Sequence, residues 1–417
     1  MIDTQAQNEI AVLAAVDTGE YSVDVSLEEL TELANAADVE VIGSAVQKRD
    51  KPDPGTFMGT GRLLELKEFC ENNDADVLIF DHELTATQIR NIEKITGVRT
   101  IDRTMLILDI FSRRAQSSEG RLQVELARQR YLLPRLAGMG ITMSRLGGGG
   151  KGGVGARRGA GETKLETDRR KIRDRIHFLS VKLKEMETRR EDTRKKRKKQ
   201  NVTTVAIVGY TNVGKSTLLN KLSGSDIYAE DMLFATLDPT ARKLDLPNGR
   251  SIVMVDTVGF VRRLPHHLVE AFKSTLEEAM DADVILNVCD ASSDEADEQA
   301  EVTTNLLKEL GAENTPMIMV LNKCDIADEI PNLGKNVVQI SAKTGDGLDD
   351  LIDAISDAIP VTTKRMEMLF PYSDAGKIDR IREDGIILSE DFGVDGILID
   401  AQVDRRFWKL ASEYVVK

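Results

Sequence analysis

Cysteines, histidines and long apolar runs are all scarce in this sequence, and each scarcity excludes a class of protein. The three cysteines, Cys70, Cys289 and Cys324, stand singly, which excludes a disulfide framework and the paired spacing of a zinc site. The four histidines form no metal-ligand pattern. No stretch approaches the roughly 20 apolar residues of a membrane span, and the first apolar run lacks the basic flank of a signal peptide. We therefore expect a cytoplasmic protein with no membrane span.

The charge is distributed unevenly along the 417 residues. The formal net charge is −14, yet residues 151–200 hold 19 Lys and Arg against 8 Asp and Glu. This segment carries +11, which leaves 37 basic and 62 acidic residues, or −25, in the remainder. Because an acidic body repels a polyanion and a basic segment attracts it, any contact with nucleic acid is predicted to concentrate in this segment.

Residues 1–112 alternate strand-like and helix-like patterns. The candidate strands are Ile10–Val16, Val39–Ala45, Asp76–Asp81 and Val98–Asp102. The candidate helices are Leu27–Ala37, Arg62–Glu71 and Thr85–Ile95. Ser26 and Thr85 are the expected caps of the first and third helix. This alternation predicts an N-terminal α/β domain with a largely parallel sheet.

Residues 113–200 read as two helices joined by a glycine-rich loop. The first helix is predicted over Ser117–Leu133, with Pro134 marking its end. The loop, residues 137–162, contains Lys151, Arg157 and Arg158. The second helix starts near Thr163 and carries a heptad seam of apolar residues: Leu165, Ile172, Ile176, Leu179, Leu183 and Met186. We expect an antiparallel helical hairpin with a basic tip; a coiled coil used for dimerisation is the alternative.

Residues 201–360 return to alternating strands and helices, and residues 361–417 form a last short segment. The strands predicted for the longer part are Val202–Val208, Ser251–Val255, Val284–Asp290, Met317–Leu321 and Val337–Ile340. The C-terminal segment shows strand patterns at Gly385–Leu388 and Gly396–Ile399 and a helix pattern over Asp404–Tyr414. We predict a second α/β domain followed by a small α/β appendage.

A phosphate loop follows the strand Val202–Val208. The motif G-x-x-x-x-G-K-[ST] is spelled by Gly209, Tyr210, Thr211, Asn212, Val213, Gly214, Lys215 and Ser216, and a helix begins with Thr217. Strand and helix flank the motif as its mechanism requires, since backbone N–H groups and the helix N-terminus together hold phosphate. Lys215 should reach the β- and γ-phosphates, and Ser216 should bind Mg²⁺.

Three further motifs complete the site, and two of them contact guanine. After Val255 come Asp256, Thr257, Val258 and Gly259, of which Asp256 should hold Mg²⁺ and Gly259 should donate its N–H to the γ-phosphate. Asn322, Lys323, Cys324 and Asp325 follow the next-to-last strand. The Asp325 carboxylate can accept two hydrogen bonds from guanine, which adenine does not offer. Ser341, Ala342 and Lys343 follow the last strand, where a backbone N–H can contact the guanine oxygen.

The segment before Asp256 should respond to the γ-phosphate. It contains Phe234, Ala235, Thr236, Leu237 and Asp238. Thr236 is the preferred third Mg²⁺ ligand and Thr240 is the alternative. With Lys215 and Gly259, Thr236 forms the expected catalytic set.

Two features bear on the rate of hydrolysis. Phe260 stands where Ras-like enzymes place a water-orienting glutamine, which predicts slow intrinsic hydrolysis that a partner accelerates. Asn212 resembles the asparagine of potassium-stimulated GTPases, so K⁺ is a candidate source of positive charge beside the phosphates. Arg262 and Arg263 are the alternative candidates for that positive charge.

Taken together, the motifs resemble those of the HflX-type GTPases, a translation-factor-class family of P-loop proteins. The resemblance spans nearly the whole chain and is most specific before the phosphate loop. It is carried there by residues 59–62 (GTGR), 100–104 (TIDRT), 106–111 (LILDIF), 123–127 (QVELA) and 161–170 (GETKLETDRR). Residues 234–238 and 256–260 also agree with the family, which supports Thr236 as the magnesium ligand.

The resemblance implies a GTP phosphohydrolase that binds the large ribosomal subunit and its rRNA while GTP is bound. It further implies hydrolysis stimulated by the ribosome and, in some members, dissociation of stalled or idle ribosomes under stress. The hairpin would then present Lys151, Arg157 and Arg158 to RNA phosphates. We expect a monomer that cycles between GTP and GDP. The alternatives are a regulatory switch with a protein effector and a large-subunit assembly GTPase.

Overall fold

The structure, a computed structural model, describes most of the chain. The described residues are 9–136, 158–199, 202–224, 233–234, 240–247, 250–263, 265, 268, 280–334, 337–359, 363–384, 386–404 and 407–416. Strands in this part of the chain form three sheets, and the predicted α/β class is confirmed. No helix among the described residues is long and apolar enough to cross a membrane.

The first sheet is parallel throughout and has the order β2-β1-β3-β4. Its strands are β1 (Glu9–Asp17), β2 (Val39–Lys48), β3 (Val77–Phe80) and β4 (Arg99–Asp102). Its helices are α1 (Val23–Ala36), α2 (Thr60–Asn72), α3 (Ala86–Thr96) and α4 (Arg103–Arg114). The central strands β1 and β3 are buried on both faces, as expected for a parallel sheet covered by helices.

Two local predictions in this region have different outcomes. Thr85 caps α3 through a capping box with Gln88, which confirms the predicted helix start. Ser26 does not cap α1: the helix begins four residues earlier than predicted, at Val23, and Ser26 lies buried inside it. Its hydroxyl donates to both carboxylate oxygens of Asp81, at 3.0 and 2.9 Å. A polar residue at this buried position is therefore explained by a contact with the end of β3 and not by helix capping.

The hairpin consists of α5 (Ser118–Arg135) and α6 (Arg158–Lys199). Ion pairs Arg175–Glu125 and Arg190–Glu119 join the two helices. Later residues of α6 therefore meet earlier residues of α5, and the pairing is antiparallel, as predicted.

Two predicted boundaries of the hairpin were wrong. Helix α5 continues past Pro134 to Arg135, because a proline in the last turn removes one hydrogen bond without forcing the next residue out of helical geometry. Helix α6 begins at Arg158, inside the predicted loop, and its charged end remains helical to Lys199. Lys151 and Arg157 lie outside the described residues, and Arg158 is the first residue of α6.

The second sheet has the order β10-β9-β8-β5-β7-β6 and is parallel except for its edge strand β6. Its strands are β5 (Thr203–Gly209), β6 (Thr240–Asp245), β7 (Ser251–Asp256), β8 (Val284–Asp290), β9 (Met317–Asn322) and β10 (Val337–Gln339). Its helices among the described residues are α7 (Lys215–Ser223), α8 (Ala296–Glu309) and α9 (Leu348–Ala358). The carboxyl ends of β5, β7 and β9 thus meet at one edge, where the phosphate loop lies.

The third sheet is antiparallel with the order β11-β13-β12. It comprises β11 (Thr363–Phe370), β12 (Ile386–Phe392) and β13 (Ile397–Asp404), with helices α10 (Gly376–Asp384) and α11 (Trp408–Ala411). The predicted helix Asp404–Tyr414 was too long, because Asp404 ends a strand and only 408–411 are α-helical. The strand β11 and the helix α10 were not predicted.

Candidate nucleotide-binding site

The phosphate loop joins β5 to α7 and is held open by two glycines. Gly209 has φ +148°, and a Cβ there would lie 2.2 Å from the carbonyl oxygen of Val288. Gly214 has φ +90°, and its Cβ would lie 2.4 Å from the Asn322 side-chain nitrogen. Because any larger residue would collide with a neighbouring strand end, both glycines are required by close packing as well as by backbone angle.

Lys215, the first residue of α7, is buried beneath this loop. Its ammonium donates to the carbonyl oxygens of Tyr210 at 2.6 Å and Gly209 at 3.2 Å. Burial lowers the pKa of Lys215 to about 8, partly opposed by the negative charge of Asp256. A cation that has lost most of its water and that donates to neutral carbonyls within the described part of the chain is well suited to turn toward phosphate oxygens.

Ser216 and Asp256 meet at the place predicted for magnesium. The Ser216 hydroxyl donates to the Asp256 carboxylate at 2.6 Å, because β5 and β7 are adjacent parallel strands that end at the same edge. A hydroxyl and a carboxylate are the hard oxygen ligands that Mg²⁺ takes, usually with water and phosphate completing its shell. The donor set therefore fits the ion, and no larger cluster of metal-binding side chains occurs in the described part of the chain.

The other proposed magnesium ligand, Thr236, lies outside the described residues together with Ala235, Leu237 and Asp238. Its alternative, Thr240, is the first residue of β6 and lies opposite Asp256 in the register of β6 and β7.

The D-x-x-G segment is joined to the phosphate loop by backbone hydrogen bonds. Phe260 N–H donates to the Gly209 carbonyl at 3.1 Å, and Thr211 N–H donates to the Phe260 carbonyl at 2.8 Å. A Cβ on Gly259 would lie 2.8 Å from the Lys215 ammonium and from Thr211 Cα, so this glycine is also fixed by close approach. The Phe260 ring is buried in the core of the second sheet, which explains an apolar residue here.

The guanine motifs form one hydrogen-bonded unit centred on buried Asn322. Its side-chain amide donates to the Val213 carbonyl at 2.8 Å and accepts from Ala342 N–H at 2.8 Å. One side chain therefore links the phosphate loop to the segment Ser341–Lys343. Lys323 has a left-handed φ of +63° and pairs with Asp290 at 2.7 Å, while Asp325 is exposed at the rim.

The structure also shows a contact that the sequence did not predict, between the segment after Gly259 and the first sheet. Arg263 donates to Asp81, which is fully buried at the end of β3. Arg103 of α4 donates to Asp81 at 3.0 Å and to the Arg262 carbonyl at 3.2 Å. Glu29 of α1 pairs with Arg103 and accepts from Arg262 N–H at 3.2 Å. We call this group of five residues the clasp.

The clasp continues into an apolar contact. Phe234 packs edge-on against Phe111 of α4 with ring centroids 4.5 Å apart. Leu233, Val258, Val261 and Leu268 belong to the same apolar cluster as the helices of the first sheet. We call the described residues 233–234 and 258–263 the switch segments, and both contact the N-terminal unit. Contacts between residues far apart in the chain, such as Asp81 and Arg263, leave no periodic signal in a sequence, which is why this interface was missed.

The clasp also reaches the phosphate loop. Tyr210 donates to the Glu29 carboxylate at 3.2 Å. Between α1 and the loop lies a cavity of about 220 Å³, whose lining includes Asn212, Glu28, Glu32 and Asp290. Asn212 itself has a left-handed φ of +60°. Carboxylates and an asparagine thus face the outer side of the phosphate loop.

Three known protein families match successive parts of the chain. Residues 24–112 match a family described as GTP-binding GTPase N-terminal, residues 114–197 one described as GTP-binding GTPase Middle Region, and residues 204–323 one described as 50S ribosome-binding GTPase. A GTP-binding protein from the archaeon Sulfolobus solfataricus, crystallised with GDP, is similar over 84% of this chain and 98% of its own, with 24% identity and a TM-score of 0.45.

Full-length relatives share the sequence far more closely. The GTPase HflX of Caldanaerobacter subterraneus subsp. tengcongensis is 50% identical over 97% of this chain and 93% of its own length. The GTPase HflX of Escherichia coli K12 is 41% identical over 86% of this chain and 85% of its own. The phosphate-loop geometry and these matches lead to one conclusion: the chain is a GTPase and belongs to the HflX family.

Proposed function

We propose that this GTPase binds the large ribosomal subunit while it holds GTP, that the subunit accelerates hydrolysis, and that the cycle acts on stalled or idle ribosomes. The observation that carries the proposal is the position of the basic charge. In a chain of net charge −14, residues 151–200 carry +11. Their helix α6 ends at Lys199, and the strand of the phosphate loop starts at Thr203. The basic hairpin is thus joined directly to the nucleotide site.

Within the site, each residue would act by position and charge. Lys215 would hold the β- and γ-phosphates, and the Gly259 N–H would donate to the γ-phosphate. Ser216, Asp256 and Thr236 would hold Mg²⁺, which when bound neutralises charge on the phosphate oxygens. Asp325 would read guanine from the rim. Phe260 offers no hydrogen bond to a water molecule, so we expect the isolated protein to be slow.

The packing of the switch segments supports a link between nucleotide and hairpin. Phe234 and Val261 lie in the cluster that also contains Val124 and Tyr131 of α5. If the γ-phosphate draws the switch segments toward Lys215, their contact surface on the N-terminal unit must change. The hairpin would then be presented differently in the GTP and GDP states.

The deciding experiment is GTP turnover with and without purified large subunits, at two salt concentrations. We expect strong acceleration that weakens at the higher salt, and loss of acceleration when residues 146–160 are deleted. No acceleration by large subunits, together with binding to a protein effector that survives the deletion, would favour a regulatory switch instead. Acceleration only by precursor particles would favour an assembly factor.

We also propose that K⁺ contributes to hydrolysis through Asn212. The left-handed backbone of Asn212 and the carboxylates around it are compatible with a monovalent cation beside the phosphates. Arg262 and Arg263, the rival charges, are engaged in the clasp. Equal turnover in sodium and potassium salts would remove this part of the proposal.

A further inference from the structure

An exposed apolar group lies at one end of the third sheet, where the strands β12 and β13 are joined. Val394 is 99% exposed, Phe392 is 70% exposed and Tyr372 is 54% exposed. Each is a large side chain that the core of this sheet leaves in solvent. We call these three residues the apolar tip. Single exposed apolar residues are ordinary, but three together at one end of a sheet indicate a contact surface.

The strand register shows that Phe392 is not a misplaced core residue. Ile397 of the central strand β13 is paired with Phe370 of β11 on one side and with Phe392 of β12 on the other. Directly opposed residues share a face of the sheet, and Phe370 and Ile397 are buried on the face that α10 covers. Phe392 is on the same face but remains outside the apolar cluster. The helix therefore stops short of the end of the edge strand.

The tip is held rigidly. The Tyr372 hydroxyl donates to the Gly393 carbonyl at 2.7 Å, and Gly393 N–H donates to the Gly396 carbonyl at 2.8 Å. Gly396 has φ +146°, and a Cβ there would lie 2.3 Å from the Phe370 carbonyl oxygen. A surface that is already ordered loses little entropy when it binds.

The charge around the tip restricts what can bind there. Residues 389–396 contain Glu390, Asp391 and Asp395 and no Lys or Arg. Glu390 is paired with Arg382, whereas Asp391 and Asp395 are exposed. Like charge disfavours RNA, an anionic membrane and a second copy of this acidic chain. A basic protein surface is the complementary partner.

Strand addition along β12 is a less suitable mode of contact. The register of β12 against β13 shifts between Ile387 and Ser389, and a bulge of this kind disturbs an edge as a template for another strand. The tip projects side chains instead, which fits insertion into a pocket.

We propose that the apolar tip inserts into an apolar pocket on a basic protein. The inference rests on the proposed function in one respect: it takes that partner to be a protein of the large ribosomal subunit. The molecule then contacts the ribosome by two surfaces of opposite charge, the basic hairpin on RNA and the acidic tip on protein.

The test uses the full-length chain with p-benzoyl-phenylalanine in place of Phe392, a substitution that preserves an exposed aromatic ring. It is irradiated with purified large subunits and a non-hydrolysable GTP analogue. We expect a crosslinked product that is sensitive to protease, resistant to RNase and identified as a basic ribosomal protein. A crosslink to RNA, to a second copy of the chain or to nothing, in a sample that co-sediments with subunits, overturns the inference.

A second measurement separates the tip from the rest of the molecule. The double variant Phe392→Ser, Val394→Ser should bind large subunits about ten-fold more weakly, as expected when interface anchors are removed. Leu388→Ser, which removes an apolar residue of the same strand that is 47% exposed, should bind normally. An unchanged affinity of the double variant overturns this inference and leaves the proposed function standing. Failure of the unsubstituted chain to bind subunits overturns the proposed function and, with it, the partner named here.

Discussion

Asn322 shows how much of the site depends on one side chain. Its amide donates to Val213 and accepts from Ala342, so the phosphate loop and the guanine loop are fixed relative to each other before nucleotide arrives. Asn322 is 2% exposed, and neither bond can be replaced by bulk water. Its structural role is thus separable from any contact it makes with nucleotide.

We predict that Asn322→Asp weakens both folding and nucleotide binding. The new carboxylate oxygen faces the Val213 carbonyl, so a buried hydrogen bond becomes a repulsion, which costs about 1–3 kcal/mol or more. Urea unfolding and titration with GDP would both report the change. Asn332→Asp is the matched control, because Asn332 is exposed and keeps its oxygen for Gly334 N–H. A variant of Asn322 as stable as this control would contradict the prediction.

His82 gives the chain a defined sensitivity to acid. Burial lowers its pKa from 6.5 to about 4, aided by the positive charges of Arg263 and Arg103 and opposed by Asp81. The ring lies 2.7 Å from the Tyr21 hydroxyl. Because the folded state holds the neutral ring, the unfolded state takes up the proton first as the pH falls. His82 therefore stabilises the fold fully above pH 6.5, and this contribution is lost between pH 6.5 and about 4.

The expected loss from this group is up to about 3 kcal/mol of unfolding free energy. His82→Gln should flatten the decline between pH 6.5 and 4, as measured by urea unfolding at a series of pH values. Carboxylates titrate in both proteins, so the difference between the two curves isolates the histidine. The substitution His177→Gln, at an exposed position on α6, should leave the curve as it is in the unsubstituted chain. Parallel curves for all three proteins would show that the His82 ring is not held neutral.

Among single residues, the sequence predicted the members of the nucleotide site wherever the chemistry requires residues that are adjacent in the chain. The phosphate loop and D-x-x-G are continuous motifs, and the structure brings Ser216 and Asp256 together as the motifs require. Asp81 and Glu29 carried no such signal. Each is an ordinary acidic residue in its own segment, and only the packing of distant segments gives it arginine partners.

The elements themselves were predictable where one face is buried and the other is not. Helix α3 shows this, with its capping box and alternating burial. Helix α4 was missed because Leu106, Ile107, Leu108, Ile110 and Phe111 form a short, nearly continuous apolar run, and such a run does not distinguish a buried helix from a buried strand. The edge strand β6 was missed for the opposite reason, since its short, charged sequence avoids the apolar pattern of a core strand.

The contacts of the clasp predict how a substitution of Glu29 changes the rate of GTP hydrolysis. Glu29→Gln removes the charge that holds Arg103, Arg262 and Tyr210 to α1, but it keeps both switch arginines. We expect intrinsic GTP turnover to rise about five-fold or more, because a weaker clasp leaves the segment after Gly259 free to approach the γ-phosphate.

Asp24→Asn is the matched control, because Asp24 is an exposed acidic residue of the same helix that neither joins the clasp nor lines the cavity beside the phosphate loop. Single-turnover hydrolysis with excess protein would measure the chemical step without product release. Lower turnover in the Glu29 variant would mean that the clasp holds the switch in its hydrolysing arrangement, and would favour Arg262 or Arg263 as a source of catalytic charge.

In the molecule as a whole, the basic charge is concentrated in one segment of the sequence, the hairpin. The N-terminal unit and the GTPase sheet are joined by the clasp and by one apolar cluster. The basic hairpin is inserted between them in the sequence, and α6 leads directly into β5. A contact made by the hairpin therefore acts on a unit that already touches both switch segments.

This arrangement predicts that the salt dependence of subunit binding depends on where the charge lies, not on net charge. Replacing Lys151, Arg157 and Arg158 by alanine should reduce the slope of log affinity against log salt by about 2–3, since each lost phosphate contact removes roughly 0.7–0.9. Co-sedimentation with large subunits over a series of KCl concentrations would give the slope.

The control removes the same number of charges elsewhere, by alanine at Lys308, Lys364 and Lys409, which are all exposed. If binding followed the overall field of an acidic molecule, the two triple variants would behave alike, because their net charge is identical. We expect the control to keep the original slope, since its lysines belong to the acidic body that RNA repels. Equal slopes for both variants would show that the basic segment has no special contact with phosphate, and the hairpin would lose its role in the proposed function.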